Sequence, residues 1–185
     1  MTSTTYRPLQ KFVHWAIFLL IVGLYALAHI AGFFPKGSDA RSLVWKTHIS
    51  FGLVLLALVV IRIVARFIHG APGLPAGTPP LEAFLAWVAH LASYALMIAI
   101  PVLGVLLVWL HGREPTFFGL FSISSPLAAN KELGDVLAKV HEVFATLILI
   151  FAGLHAMAAI WHHRVKKDNV LTRMLPKRLL RGSTF

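Results

Sequence analysis

The chain has 185 residues, of which 58% are hydrophobic and only 13% are charged. This charged share is about half that of a soluble domain, so the composition favours a chain embedded in a lipid bilayer. The chain has no cysteine, which excludes disulfides, iron–sulfur clusters and any prosthetic group attached through a Cys-x-x-Cys-His motif.

Four apolar segments follow one another along the chain, and each reaches the roughly 20 residues that a helix needs to cross a bilayer. Their approximate bounds are 11–31, 44–67, 83–110 and 137–162. The second segment carries charged residues near its ends, which is tolerated because long charged side chains can reach the interface. The sequence therefore predicts an all-α membrane protein, in which residues 1–185 form a single domain built as a four-transmembrane-helix bundle.

The connections between these segments are short except for the third. A turn cluster over residues 32–41 follows the first segment, and the second connection, 70–80, contains four prolines and three glycines. The third, 111–135, is apolar enough to lie at the membrane surface. The third segment contains Pro101 and, three residues later, Gly104. Proline has no backbone N–H, so one carbonyl of the helix loses its hydrogen bond, which membrane helices tolerate when neighbouring groups satisfy that carbonyl.

The net charge of +10 is unevenly distributed between the two sides of the predicted membrane. With a cytoplasmic N-terminus, the inside segments carry a net charge of +9 and the outside segments +1. Lys and Arg are enriched in cytoplasmic loops, so both termini are predicted to be cytoplasmic. The basic tail, 163–185, is explained by this topology and by attraction to anionic lipid, without nucleic acid as a partner. The eleven basic residues assigned to the cytoplasmic side are Arg7, Lys11, Arg62, Arg66, Arg164, Lys166, Lys167, Arg173, Lys177, Arg178 and Arg181.

Two histidines of the fourth segment, His141 and His155, are the strongest functional signal, because ionisable side chains at membrane depth usually serve a function. They are separated by 14 residues, about 21 Å along a helix, and lie on the same side of it. One helix would thus offer a nitrogen ligand near each face of the bilayer. This arrangement suits two metal centres stacked across a membrane.

Partners at matching depth are available on other segments. His14 matches His155 and His48 matches His141, which gives two bis-histidine pairs of the kind that hold haem iron. Without cysteine such haems would be non-covalent b haems. His29 is a rival to His48, because it lies 15 residues after His14 on the first segment. Spacing leaves both pairings open.

The remaining histidines have weaker signals. His90, in the third segment, is predicted either to pack between helices, to bond a haem propionate or to bond a quinone. Four others fall at helix ends or in loops and are predicted to be solvated at the interface: His69, His111, His162 and His163.

These residues together resemble a known family. The motifs are Leu9-Gln10-x-x-x-His14-Trp15, His48-x-Ser50-x-Gly52, His90-x-x-x-Tyr94, His141-Glu142 and, in the tail, Lys167-Asp168-Asn169. Their order along the chain is similar to that of bacterial cytochrome b561. The resemblance implies a four-helix bundle in the bacterial inner membrane holding two b haems. It assigns His14 with His155, and His48 with His141, as the axial ligands, while His29 matches no ligand position.

The resemblance also implies an activity, that of a superoxide:ubiquinone oxidoreductase. Such a protein takes electrons from superoxide at the outer face and passes them through both haems to ubiquinone. Basic side chains near the outer haem would attract the anionic substrate. The candidates are Arg41, Lys46, Lys131 and Lys139.

Two other functions are alternatives to this one. The chain could be a cytochrome b anchor subunit that links a partner dehydrogenase or hydrogenase to the quinone pool, although its short outer loops favour a stand-alone protein. A haem-free, histidine-dependent transporter is disfavoured, because the spans contain too few polar residues to line a permeation path.

Overall fold

The structure of the protein, a computed structural model, describes residues 5–75 and 77–176. It is mostly helical, and it has four helices long and apolar enough to cross a membrane, which confirms the four predicted membrane helices. They are α1 (Pro8–Ile30), α2 (Asp39–His69), α3 (Pro80–Leu110) and α4 (Lys131–Trp161). A single 3₁₀ turn, Ala31–Phe33, extends α1, and a π-helical turn, His162–Lys166, extends α4.

Local sequence signals set where these helices begin and end. The Ser38 side chain accepts a hydrogen bond from the backbone N–H of Arg41, and the Asn130 side chain accepts one from Leu133, so both residues cap helices that follow them. Pro80 occupies the first position of α3, where its missing N–H costs nothing. Gly70 ends α2 with a φ of 65°, a conformation that favours glycine.

The helices alternate in direction and pack in chain order, α1 along α2, α2 along α3 and α3 along α4, while α1 and α4 make little contact. The bundle thus has two ends. We call the end with the start of α1 and the end of α4 the terminal end, and the opposite end, with residues 31–38 and 111–130, the loop end. The core between the helices includes Val13, Ile17, Leu24, Leu55, Val59, Met97 and Ile148.

The third connection differs from a simple surface loop. It contains a β-hairpin, β1 (Thr116–Phe117) paired antiparallel with β2 (Phe121–Ser122), which was not predicted. Phe118 and Gly119 both have positive φ, as a tight turn between two strands requires. α4 begins at Lys131, so the connection is also shorter than expected. The tip of the hairpin stays exposed through Phe118, Leu120 and Phe121, as expected for a segment at a membrane surface.

Ser50 fastens this hairpin to α2. Its side chain is 1% exposed. The hydroxyl oxygen accepts a hydrogen bond of 2.9 Å from the backbone N–H of Phe118, and its proton can be donated to the carbonyl oxygen of Lys46 or Thr116. The rings of Phe51 and Phe118 pack edge to face, 5.2 Å apart.

Replacing this hydroxyl should loosen the hairpin. In Ser50→Ala the buried N–H of Phe118 loses its acceptor, which should cost about 1–3 kcal/mol of stability. Amide hydrogen exchange should therefore speed up at Phe118 and its neighbours. Ser93→Ala is the matched control, because among the described residues the Ser93 hydroxyl bonds only to the Ala89 carbonyl of its own helix. Equal exchange at Phe118 in both variants would contradict the assigned role of Ser50.

The described part of the tail folds back over the terminal end. The Lys11 ammonium donates to the Leu175 carbonyl at 2.9 Å, and the Trp15 indole N–H donates to the Met174 carbonyl at 3.1 Å. Arg173 donates to the carbonyl of Gly73. The tail is thus tied to the start of α1 and to the second connection. The tail residues 177–185, which include the predicted basic Lys177, Arg178 and Arg181, lie outside the described residues.

Two histidines predicted to be solvated are instead hydrogen-bonded and partly buried. His111 contacts the Leu107 carbonyl at 2.6 Å and the Asp135 carboxylate at 3.0 Å, and His162 contacts the Asp168 carboxylate at 2.5 Å. Burial raises the pKa of Asp168, but hydrogen bonds from His162 and the Val170 N–H outweigh it and leave the pKa below its ordinary value. The prediction failed for these two because their carboxylate partners, Asp135 and Asp168, come from later in the chain.

Candidate metal centres

His14 of α1 and His155 of α4 face each other near the terminal end. Their ring centroids are 6.3 Å apart and the ring planes make an angle of 66°. Trp15 contacts the ring of His14 edge to face. Because Trp15 is itself bonded to Met174, the tail helps to fix the helical turn that carries His14.

His48 of α2 and His141 of α4 form a second pair near the loop end. Their separation of 6.3 Å and angle of 66° equal those of the first pair. The Nδ1 atom of His48 lies 3.1 Å from the Leu24 carbonyl oxygen, and that of His141 lies 2.9 Å from the Ile100 carbonyl oxygen. A carbonyl only accepts, so Nδ1 carries the proton in both rings. The Nε2 lone pairs remain available to a metal.

The ring separation in each pair matches a bridging metal better than a direct contact. Two metal–imidazole bonds of about 2 Å, with about 1.2 Å from each ring centre to its nitrogen, place the centres about 6.4 Å apart. A direct hydrogen bond of about 2.9 Å between the nitrogens would place them only about 5 Å apart. Both pairs can therefore hold a metal ion between the rings.

The donor set indicates what kind of metal group fits. In residues 5–75 and 77–176, no group of three or more His, Cys, Asp or Glu side chains is arranged to hold an ion alone. A haem brings most of the ligands of its iron in its own macrocycle, so a pair of imidazoles would be enough to complete the coordination of that iron. The residues present thus fit the haem group that the family resemblance implies.

The structure brings together the four histidines predicted as ligands and leaves the rival out. The His29 Nδ1 atom contacts the Tyr25 carbonyl of its own helix, and its ring lies against Tyr25 with centroids 4.4 Å apart. His29 is exposed and makes no ring contact with His141. That the four paired histidines ligate iron remains a prediction.

A third histidine and an arginine lie beside the terminal-end pair. The ring of His90, on α3, is 5.9 Å from that of His155. Arg62, on α2, lies over the ring of Tyr94 at 5.7 Å and interacts electrostatically with His14, His90 and His155. Arg62 was predicted to lie at the membrane interface, and its place beside these histidines was not predicted. An arginine within an otherwise apolar segment was the signal that could have identified it.

Gly104 allows the loop-end histidine to approach α3. A Cβ atom at this position would lie 3.3 Å from Cε1 of His141, a tighter contact than most side chains make. The absence of a side chain at Gly104 thus leaves room for the bond between His141 and Ile100, one turn earlier on the same helix.

The four basic residues predicted to attract an anion differ in their surroundings. Lys131 pairs with Asp135 at 2.7 Å, and Arg41 donates to the Phe34 carbonyl at 3.0 Å. Lys46 and Lys139 form no ion pair with any residue of the described ranges. Lys46 lies two residues before His48, and Lys139 lies two residues before His141, so both lysines are at the loop end. Two residues correspond to about 200° around a helix, so each lysine lies on the side of its helix away from the histidine.

Comparison with protein families gives a match over almost the whole chain. The model of the family described as prokaryotic cytochrome b561 matches residues 5–177. The matched range includes all four long helices and both histidine pairs.

Three curated relatives match along nearly their full length. "Cytochrome b561 homolog 1" of Escherichia coli is 31% identical over 169 residues, covering 91% of this chain and 96% of the relative. "Probable superoxide oxidase CybB" of Yersinia pestis is 33% identical over 175 residues, covering 94% and 97%. "Cytochrome b562" of Cereibacter sphaeroides is 28% identical over 177 residues, covering 94% and 96%.

Proposed function

The chain belongs to the prokaryotic cytochrome b561 family, which transfers electrons across membranes, and we propose that it is a di-haem superoxide:ubiquinone oxidoreductase. The observation that supports this most is the presence of two histidine pairs of equal ring separation that share α4. A bis-histidine haem at each pair would supply one-electron exchange at an iron with no open coordination position. Since α4 provides one ligand to each pair, a single helix fixes the distance between the two sites.

The distribution of basic residues supports one orientation in the membrane. In this proposal the terminal end, with both termini, faces the cytoplasm and the loop end faces outward across the bacterial inner membrane. Arg164, Lys166, Lys167 and Arg173 lie at the terminal end, and they support this orientation.

The outer face is proposed to oxidise superoxide. A relative named as a probable superoxide oxidase is 33% identical, which supports this choice of electron donor. Lys46 and Lys139 point away from the paired histidines, so they would act through their electric field and not through contact with the substrate. Arg41 would add to this field, whereas Lys131 is largely neutralised by Asp135.

The electrons are proposed to reach ubiquinone. Two superoxide anions each lose one electron and become dioxygen, and ubiquinone takes up these two electrons with two protons to become ubiquinol. His90 is the candidate hydrogen-bond donor to the quinone, or to a haem propionate, because its ring lies beside that of His155.

Stopped-flow mixing with superoxide tests this function. We expect the oxidised protein to show haem reduction faster than spontaneous dismutation removes superoxide, and to form one ubiquinol for every two superoxide anions consumed. Haem reduction no faster than this background would overturn the proposal. It would leave the alternative of an anchor subunit, which receives its electrons from a partner dehydrogenase or hydrogenase.

Removing the charges of Lys46 and Lys139 should slow the reaction with superoxide. We expect Lys46→Gln/Lys139→Gln to lower the second-order rate by about tenfold at low ionic strength, because an attractive field raises the encounter rate. The difference should shrink at high salt. Lys167→Gln, at the opposite end, is the control and should keep the original rate. A rate deficit that is independent of salt would indicate a structural effect instead.

Filling the space at Gly104 should disturb the loop-end site alone. In Gly104→Val the new side chain must displace His141, at a cost of about 1–3 kcal/mol for an overpacked position. We expect a partial loss of haem, with absorption changes confined to the loop-end site. Gly153→Val is the matched control on α4, where a Cβ would meet nothing within 4 Å. Equal haem loss in both variants would argue against the contact.

A further inference from the structure

The two histidine pairs have equal ring geometry but different surroundings. Resting on the proposed function, we propose that the two haems differ in reduction potential, the loop-end haem being lower and the terminal-end haem higher. Backbone carbonyls set the first potential and Arg62 sets the second. The difference would direct electrons from the loop end to the terminal end.

Hydrogen bonds lower the potential at the loop end. Both imidazoles there donate Nδ1–H to a carbonyl, that of Leu24 or Ile100. Such a bond raises the electron-donating power of the coordinating nitrogen. A stronger donor stabilises ferric over ferrous iron, so the loop-end haem should be the stronger reductant.

A positive charge raises the potential at the terminal end. The guanidinium of Arg62 lies 5.7 Å from the centre of the Tyr94 ring, and Tyr94 is one turn along α3 from His90, whose ring is 5.9 Å from that of His155. The charge of Arg62 therefore acts on the terminal-end pair. Ferrous iron carries one positive charge less than ferric iron, so a nearby cation favours the ferrous state. In the part of the chain that the structure describes, neither His14 nor His155 has a hydrogen-bond acceptor for its Nδ1 atom that would offset this effect.

The two effects act in the same direction. With these potentials, transfer of one electron from the loop-end site to the terminal-end site would be downhill in free energy, and it would break no bond and move no proton. The quinone would then receive electrons at the terminal end, where His90 lies.

Redox titration of single-haem variants tests the order. His14→Ala should keep only the loop-end haem and His48→Ala only the terminal-end haem, which removes any repulsion between two charged sites. At the potential where the terminal-end haem is half reduced, we expect the ratio of reduced to oxidised loop-end haem to be at least tenfold smaller than that of the terminal-end haem. For a one-electron couple this is about 59 mV.

Substitution of Arg62 tests the cause. Arg62→Gln should lower the potential of the terminal-end haem and leave the loop-end haem unchanged, whereas Arg62→Lys should keep most of the original value. Arg66→Gln is the matched control, because Arg66 is exposed, lies one turn further along α2 and interacts with His90 but not with His14.

The outcomes separate this inference from the proposed function. Equal or reversed potentials in the single-haem variants would overturn the inference, as would an Arg62→Gln shift at the loop-end haem or no shift at all. If His14→Ala and His48→Ala each failed to remove one haem, the ligand assignment itself would be wrong. The titration needs neither superoxide nor quinone, so failure of the proposed substrate leaves it intact.

Discussion

The variant His155→Ala is expected to bind one haem per chain instead of two. The terminal-end site would lose a ligand contributed by α4, and we expect a haem held only by coordination and packing to be lost with it. The loop-end pair should remain intact, because His141 lies 14 residues away, about 21 Å along the same helix. Haem quantified per chain, with the ferric electron paramagnetic resonance spectrum, measures this directly.

His163→Ala is the matched control for this experiment. His163 is an exposed histidine just beyond the end of α4, and it contributes to neither pair. The control should keep two haems. If His155→Ala kept two low-spin haems as well, a different residue would have to ligate the terminal-end iron, and His90 would be the first candidate.

A second large effect is expected at the opposite end. His48→Ala should remove the loop-end haem and lower superoxide-driven reduction of the remaining haem by more than about 100-fold, since even residues behind a metal ligand alter activity by 10–100-fold. Dithionite should still reduce the terminal-end haem. The variant would thus show that the terminal-end haem can still be reduced when the site that reacts with superoxide is lost.

His29→Ala decides between the two ligands considered for the loop-end site. His29 contacts Tyr25 of its own helix and not the ring of His141. We therefore expect His29→Ala to keep both haems and its rate with superoxide. Loss of a haem from this variant, with retention in His48→Ala, would reverse the assignment.

The architecture could be predicted from the sequence because membrane helices carry strong local signals. Apolar segments of sufficient length, interrupted by turn clusters rich in proline and glycine, indicate helices one at a time. The positions of His141 and His155 on one face of α4 followed from helical periodicity alone. Periodicity could not choose between His48 and His29, since both lie near the same depth and the choice depends on how α1 and α2 turn toward α4.

Other features depend on contacts between distant segments and could not be predicted. The hairpin over residues 116–122 forms where Ser50, more than 60 residues earlier, offers a hydroxyl group to Phe118. The carbonyl oxygens of Leu24 and Ile100 carry no sequence signal as hydrogen-bond acceptors, because every residue has one. The role of Arg62 likewise becomes visible only when Tyr94 and the terminal-end histidines are placed around it.

The haem content of the purified protein tests the central claim most directly. We expect two non-covalent b haems per chain of 20.4 kDa, both low-spin, with a sharp alpha band in the reduced-minus-oxidised spectrum. A protein that stayed colourless after expression with added haem, or that held one haem unaffected by His14→Ala and His48→Ala alike, would contradict it.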